Sequence, residues 1–407
     1  MGRRKENPSM ELVEAASDGD GDRVRELLAK GAVAEFAMPA KYSKRPELAG
    51  LSALMAAAAE GRVDCVQELA PLGGLERSWA GRTALMLAVQ SREPNSGRCV
   101  EVLLAAGANA RARLPNGLTC LLAAVSDRSE EGLAKTLALA PASDLGAAKE
   151  WPTGSQGKEW QHAGSMETAL MIAARDRNLA RVEALAAASS PASKSASLAI
   201  AAQLESVPIV DMLLTAGAVD NVGAQGKTAL MWAAKRGSAK IIEMLAGSGR
   251  SEIAAQDGQG QSALAMAAEG GFPMATKALL AAGAPPEARD EKGSTALMLA
   301  AKGGRPQCVD LLIPHGVGAL DKQGRNALFY AVEGRSMELV DILLRWIDPR
   351  IKGADGRSAE ACARQSAPPM HDMADRIQAR ALALEEADEL GGLLGPGSPG
   401  FSGAARI

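Results

Sequence analysis

One phrase recurs along this 407-residue chain, and its period limits what the chain can fold into. It reads Leu51-Ser-Ala-Leu-Met-Ala-Ala, Arg82-Thr-Ala-Leu-Met-Leu-Ala, Glu167-Thr-Ala-Leu-Met-Ile-Ala, Lys227-Thr-Ala-Leu-Met-Trp-Ala, Gln261-Ser-Ala-Leu-Ala-Met-Ala, Ser294-Thr-Ala-Leu-Met-Leu-Ala and Arg325-Asn-Ala-Leu-Phe-Tyr-Ala. Weaker copies begin at Leu118, Ala196 and Arg357, and a degenerate first copy at Met10. With the Ser, Thr or Asn of each copy as position zero, the anchors are Met10, Ser52, Thr83, Thr119, Thr168, Ala196, Thr228, Ser262, Thr295, Asn326 and Ser358. Successive gaps run from 28 to 36 residues, except for two of 42 and 49 that carry insertions. Such a period implies stacked modules, each too small to bury its apolar face alone.

Every unit has the same grammar. A polar turn with Gly precedes the anchor, as in Asp290-Glu-Lys-Gly-Ser and Asp321-Lys-Gln-Gly-Arg; Gly supplies the positive φ of a tight turn. The anchor suits a helix N-cap. A short helix follows, such as Ala296 to Lys302, and Gly303-Gly304 ends it. A second helix starts near Pro306 and carries Val309, Leu311 and Leu312. Aromatic residues are only 3% of the chain, so Ala, Leu and Met must fill the core.

This grammar resembles the ankyrin repeat over roughly residues 9 to 380, with Ala in place of the family's Pro and mostly Met in place of its His. The Ala-Leu-Met phrasing, with Cys-Val opening several second helices, is similar to the ankyrin-only 21.1 type of diplomonad parasites. The resemblance implies an all-α solenoid of about eleven helix-turn-helix units with β-turn fingers, degenerate caps included. The family's His bonds neighbouring backbone; Met cannot, so cohesion between units is expected to depend more on packing.

The expected organisation is a disordered basic N-terminus over 1–8, an array over 9–390, and a disordered Gly/Pro-rich tail over 391–407. Insertions cover about 33–50, with Phe36 and Tyr42, and about 141–165, with Trp151 and Trp160. Each is read either as a local lid or as a partner contact.

Lys+Arg 45 against Asp+Glu 48 argues against a nucleic-acid binder. Five Cys without a CxxC pair make neither a disulfide framework nor a zinc ribbon. Cys65, Cys99 and Cys308 open second helices at equivalent places, which is a packing pattern. No secretory signal is expected from Met1-Gly2-Arg3-Arg4-Lys5-Glu6, and no apolar run reaches membrane-spanning length. The expected location is cytoplasmic, with cytoskeletal association as an alternative. Three isolated His, with no phosphate loop and no nucleophile elbow, give no catalytic or metal constellation, so no cofactor is expected.

The expected function is therefore a non-enzymatic scaffold or adaptor for protein partners, with a structural cytoskeletal component as the alternative. The resemblance carries its variable contact positions, on the turns and first-helix ends facing the hollow side, onto Trp79, Arg82, Arg175, Lys227, Lys235, Arg236, Lys302, Lys322, Arg325 and Glu333. Trp151 and Trp160 join them from the second insertion. Most are cationic, which suggests a partner with an acidic surface; an ordinary solvated face is the competing reading. Trp232 and Tyr330 stand four residues after their anchors, where sister units carry Leu or Ile, and read as core more readily than as binding rings.

Overall fold

A computed structural model describes residues 7–39, 45–111, 119–127, 129–139, 168–187, 189–221, 226–366 and 368–394. Among them the chain is all-α, with isolated β-bridges and no strand. The first helices of repeats 1 to 11 are Pro8–Asp18, Ala53–Ala59, Ala84–Gln90, Cys120–Ser126, Ala169–Arg175, Pro191–Gln203, Ala229–Arg236, Ala263–Gly270, Ala296–Lys302, Ala327–Glu333 and Ala359–Gln365. The second helices are Gly21–Ala29, Val63–Leu69, Ser96–Ala105, Glu130–Leu139, Leu179–Ala186, Val207–Thr215, Ala239–Gly247, Pro273–Ala281, Pro306–Leu312, Met337–Leu343 and His371–Leu394.

The chain divides into two compact units, Met1–Ser197 with Thr215–Gly217, and Leu198–Leu214 with Ala218–Ile407. Within repeats 1 to 5 of the first unit and repeats 7 to 11 of the second, first helix stacks on first helix and second on second. Most anchors work as N-caps: Thr228 Oγ1 accepts from Met231 N at 3.2 Å, and Ser262 Oγ from Ala265 N at 3.2 Å, whereas the Thr295 hydroxyl makes no cap bond. Position 2 holds a buried Leu in repeat after repeat, from Leu54 at 3% exposure to Leu328 at 0%. Met55, Met86, Met231 and Met298 are buried beside it, while Met171 is half-buried. Small Ala residues between them let the helices approach closely.

Two repeats start differently. The helix of repeat 1 begins at Pro8, capped by Asn7, and that of repeat 6 begins at Pro191. Met10 and Ala196 carry no side-chain acceptor for a cap, so the first helix extends back about one turn and the other nearly two, each to a residue that can start it. The last helix runs to Leu394, so the expected array boundary at 390 falls inside a helix. The first insertion closes on itself, with Gly50 N donating to Met38 O at 2.7 Å and Met38 N to Leu51 O at 3.0 Å. Met38 and Leu48 are buried beneath it. The second insertion, and most of the expected disordered termini, lie outside the described residues.

Polar plugs join the repeats beside the packing that was expected to carry more of the cohesion. Carbonyls at the end of a first helix, which lack helical partners, receive a side chain from the next repeat. Arg62 Nε donates to Ser17 O at 3.1 Å, Ser91 Oγ to Ala59 O at 2.7 Å, and Arg305 Nε to Glu269 O at 3.3 Å. Lys135, fully buried, donates to Ser91 O and pairs with Asp127 at 3.5 Å. Arg181, 1% exposed, donates to the Val125, Asp127 and Ser129 carbonyls. A buried cation is tolerable only with such acceptors, and the helix dipole places negative potential there.

Candidate functional site

The fingers of repeats 8 to 10 are built by carboxylates. Asp257 Oδ1 accepts from Gln259 N at 2.9 Å and Gln261 N at 3.0 Å. Asp290 does the same for Lys292 N and Ser294 N, and Asp321 for Gln323 N and Arg325 N. Each side chain thus replaces part of the backbone bonding of a turn. Successive fingers join edge to edge: Glu291 N donates to Gln259 O at 3.1 Å, Lys322 N to Lys292 O at 3.1 Å and Ala354 N to Gln323 O at 2.7 Å. Gly293, at φ 84°, sits so close that a Cβ would lie 2.8 Å from Lys322 N, so both its conformation and its neighbour require glycine.

Beside this ladder, repeats 9 and 10 gather four of the expected contact residues. Arg325 Nε meets Asp321 Oδ2 at 2.9 Å, and its Nη1 meets Glu333 Oε1 at 3.2 Å. Lys302 Nζ of the preceding repeat reaches Glu333 Oε2 at 3.2 Å. Lys322, on the finger, is exposed. Tyr330, 3% exposed, donates its hydroxyl to Asp321 Oδ2 at 2.9 Å and shares a 2.8 Å bond with Ser294 Oγ. Burial pushes the Asp321 carboxyl up, but bonds from the Arg325 backbone, Tyr330 and the Arg325 guanidinium outweigh it and hold it below the usual range. Tyr330 itself is raised by burial.

Repeat 7 arranges the same kinds of residue differently. Lys227, just before the anchor, is drawn to Asp257 of the next finger. Burial raises the Asp257 carboxyl, yet Lys227 and the finger N–H groups bring it net below the usual range. At position 7, repeat 10 offers Glu333 to its finger cation, whereas repeat 7 offers Lys235. Lys235 lies 5.5 Å from the centre of the half-buried Trp232 ring. Lys235 and Arg236 are exposed, and neither makes an ion pair among the described residues.

Comparison with known families matches ankyrin repeats, in three copies, to residues 12–113, 198–290 and 264–353. The chain belongs to the ankyrin-repeat family. No curated protein matches it. The ankyrin fingers and first-helix ends are where the family's variable residues were expected, and the side chains there fall into a bound set and an open set. Lys227, Lys302, Arg325 and Glu333 are tied into ion pairs; Lys235, Arg236 and Lys322 make none among the described residues.

In the first unit, Trp79 and Arg82 bond across the finger turn of repeat 3, with N···O distances of 3.0 and 2.9 Å. The Trp79 indole lies on Gly50, where a Cβ would come within 1.8 Å of Nε1, so this ring covers the end of the first insertion. It remains 41% exposed. Arg175 ends the first helix of ankyrin repeat 5 and lines an open cleft of about 320 Å³ with Asp176, Arg177, Asn178 and Arg181. Another cleft of about 560 Å³ runs past Asp18, Arg62, Asp64, Arg98 and Glu101, with charges of both signs. Trp151 and Trp160 lie outside the described residues.

Cys65, Cys99 and Cys308 are buried at their equivalent places, and burial pushes the first two thiols up to about 11 and raises the third. Such thiols are held as weak nucleophiles. No helix of the described chain is long and apolar enough to cross a membrane. Sequence reasoning missed the finger carboxylates as builders, although Asp257, Asp290 and Asp321 each stand five residues before their anchors. It also ranked Trp232 as core; only the missing ion partner of Lys235 marks this ring as different.

Proposed function

We propose that the chain is a non-enzymatic interaction scaffold that binds protein partners through its first-helix ends and fingers. The observation that carries this reading is the split within one row of side chains. Ankyrin repeats serve generally as protein-protein interaction modules, and in repeats 9 and 10 Lys302, Arg325 and Glu333 are taken up by internal bonds while Lys322 stays exposed. Repeat 7 keeps two cations available, which favours a partner with an acidic surface. Affinity is expected to come from a few anchors rather than from the whole face.

The test is affinity capture with the full chain, comparing wild type with Lys235→Glu/Arg236→Glu. A discrete protein retained by wild type and lost with the variant is the expected result. Co-purification with the insoluble cytoskeletal fraction at high salt, unaffected by the variant, would replace the adaptor reading by the structural one.

A further inference from the structure

Repeat 7 presents three donors, the Lys235 ammonium, the Arg236 guanidinium and the Trp232 indole N–H, with no hydrogen bond or ion pair among the described residues. Lys235 and Arg236 follow Trp232 by three and four residues on the helix Ala229–Arg236, so all three share one face. The indole N–H of Trp232 has no acceptor among the described residues, and its ring is half-buried. The preceding Met231 is 1% exposed, so the helix turns its buried face there and presents Trp232 toward the edge.

Two features keep this face open. In repeats 10 and 11 the arginine before the anchor reaches back to position 7: Arg325 to Glu333 at 3.2 Å, and Arg357 to Gln365 at 3.2 Å. In repeat 7 the same two places hold Lys227 and Lys235, which repel, and Lys227 turns to Asp257 instead. The position-7 row then alternates as Lys235, Glu269, Lys302 and Glu333. Lys302 uses this alternation to bridge to Glu333, but Lys235 makes no such bridge to Glu269 and sits over the indole. The ring holds the ammonium in place by its quadrupole while leaving its remaining donors outward.

We propose that Trp232, Lys235 and Arg236 form a reading site for an extended acidic segment of a partner protein, with a carboxylate at the two cations and a large apolar side chain against the indole. This rests on the interaction reading above and names the chemistry of its partner. A carboxylate satisfies all three donors, and displacing water from the exposed part of the ring favours an apolar neighbour. A nucleic acid suits the site less well. It needs a row of cations along its backbone, and of the other cations here Lys227, Lys302 and Arg325 are already paired, which leaves Lys322 on the finger of repeat 10.

The test uses fluorescence anisotropy of the full chain with short fluorescein-labelled peptides. One is Glu/Asp-rich with a central Phe, one has Ser in place of that Phe, one is Lys-rich with the Phe, and an oligothymidine serves as the nucleic-acid probe. The protein variants are Trp232→Leu, which introduces the residue that sister repeats carry at Leu87 and Leu299, and Lys235→Glu/Arg236→Glu. Thermal unfolding checks that each remains folded.

The acidic Phe peptide is expected to bind wild type. Trp232→Leu, or Ser in the peptide, should weaken it by about tenfold, and the double charge reversal should abolish binding. Equal affinity for Trp232→Leu, preference for oligothymidine, or no binding by the acidic Phe peptide overturns the proposal. Affinity capture separates the two levels. Partners that wild type and Trp232→Leu retain equally sink this site but leave the interaction reading standing; no specific capture by wild type sinks both.

Discussion

Repeats 7 and 10 place an aromatic ring at position 4, a charge at position 7 and a cation just before the anchor, and they use this set in opposite ways. In repeat 10, Tyr330 can reach the finger carboxylate, so ring, Asp321, Arg325 and Glu333 close into one network. In repeat 7, Trp232 is only half-buried, and its neighbour at position 7 is Lys235 instead of a carboxylate. The same positions therefore become internal structure in one repeat and available surface in the other. Which outcome follows turns on the sign of one residue, on whether the ring carries a hydroxyl, and on the place five residues before the anchor, which is Asp321 in repeat 10 and Gly223 in repeat 7.

The first way to test this contrast is at a position where it should vanish. Leu230 and Leu328 occupy position 2 of the two repeats and are 1% and 0% exposed. Changing either to Ala should cost about 2–5 kcal/mol in chemical denaturation; a large inequality would mean that the repeats differ in their cores as well as at their edges. At position 4 the contrast should open. Tyr330→Phe strips a bond from the buried Asp321 and should cost about 1–2 kcal/mol. Trp232→Leu should change stability by less than about 1 kcal/mol, since the ring is already partly in water. The reverse ranking would contradict the split between bound and open rows.

Acid sharpens the same point. The Asp257 and Asp321 carboxyls are held below their unfolded values, so both contribute stability above about pH 3.9 that is lost as pH falls through their folded values. Stability measured against pH should decline below about pH 4, more shallowly for Asp321→Asn; identical slopes would remove Asp321 from the network. The smallest effect is expected from Lys302→Ala. Its bridge to Glu333 is about half-exposed at both ends, at 51% and 44%, and should contribute less than about 0.5 kcal/mol. A larger loss would show that the bridge orders the neighbouring Arg325 as well.

The helix pairs were legible in the sequence because caps, glycine stops and the position-2 Leu all repeat with one period. Repeats 1 and 6 were legible as copies but not in their helix starts, since Met10 and Ala196 cannot cap and the structure looks upstream for Asn7 and Pro191. The candidate residues were legible as positions. Whether each is occupied was not, because Lys227 to Asp257 and Lys302 to Glu333 span neighbouring repeats, and partner choice depends on side-chain reach. Nothing in the sequence marks Lys135 and Arg181, which only the stacking of repeats encloses.

Those two enclosed cations also bear on how the chain avoids assembling wrongly. Its units present nearly interchangeable Ala-Leu-Met faces, so a repeat docking on the wrong neighbour would bury much the same oil. A mismatched docking would instead strand the Lys135 ammonium or the Arg181 guanidinium away from the carbonyls that receive them, an outcome several kcal/mol worse than the correct one. Order among look-alike modules is thereby proofread by two charges.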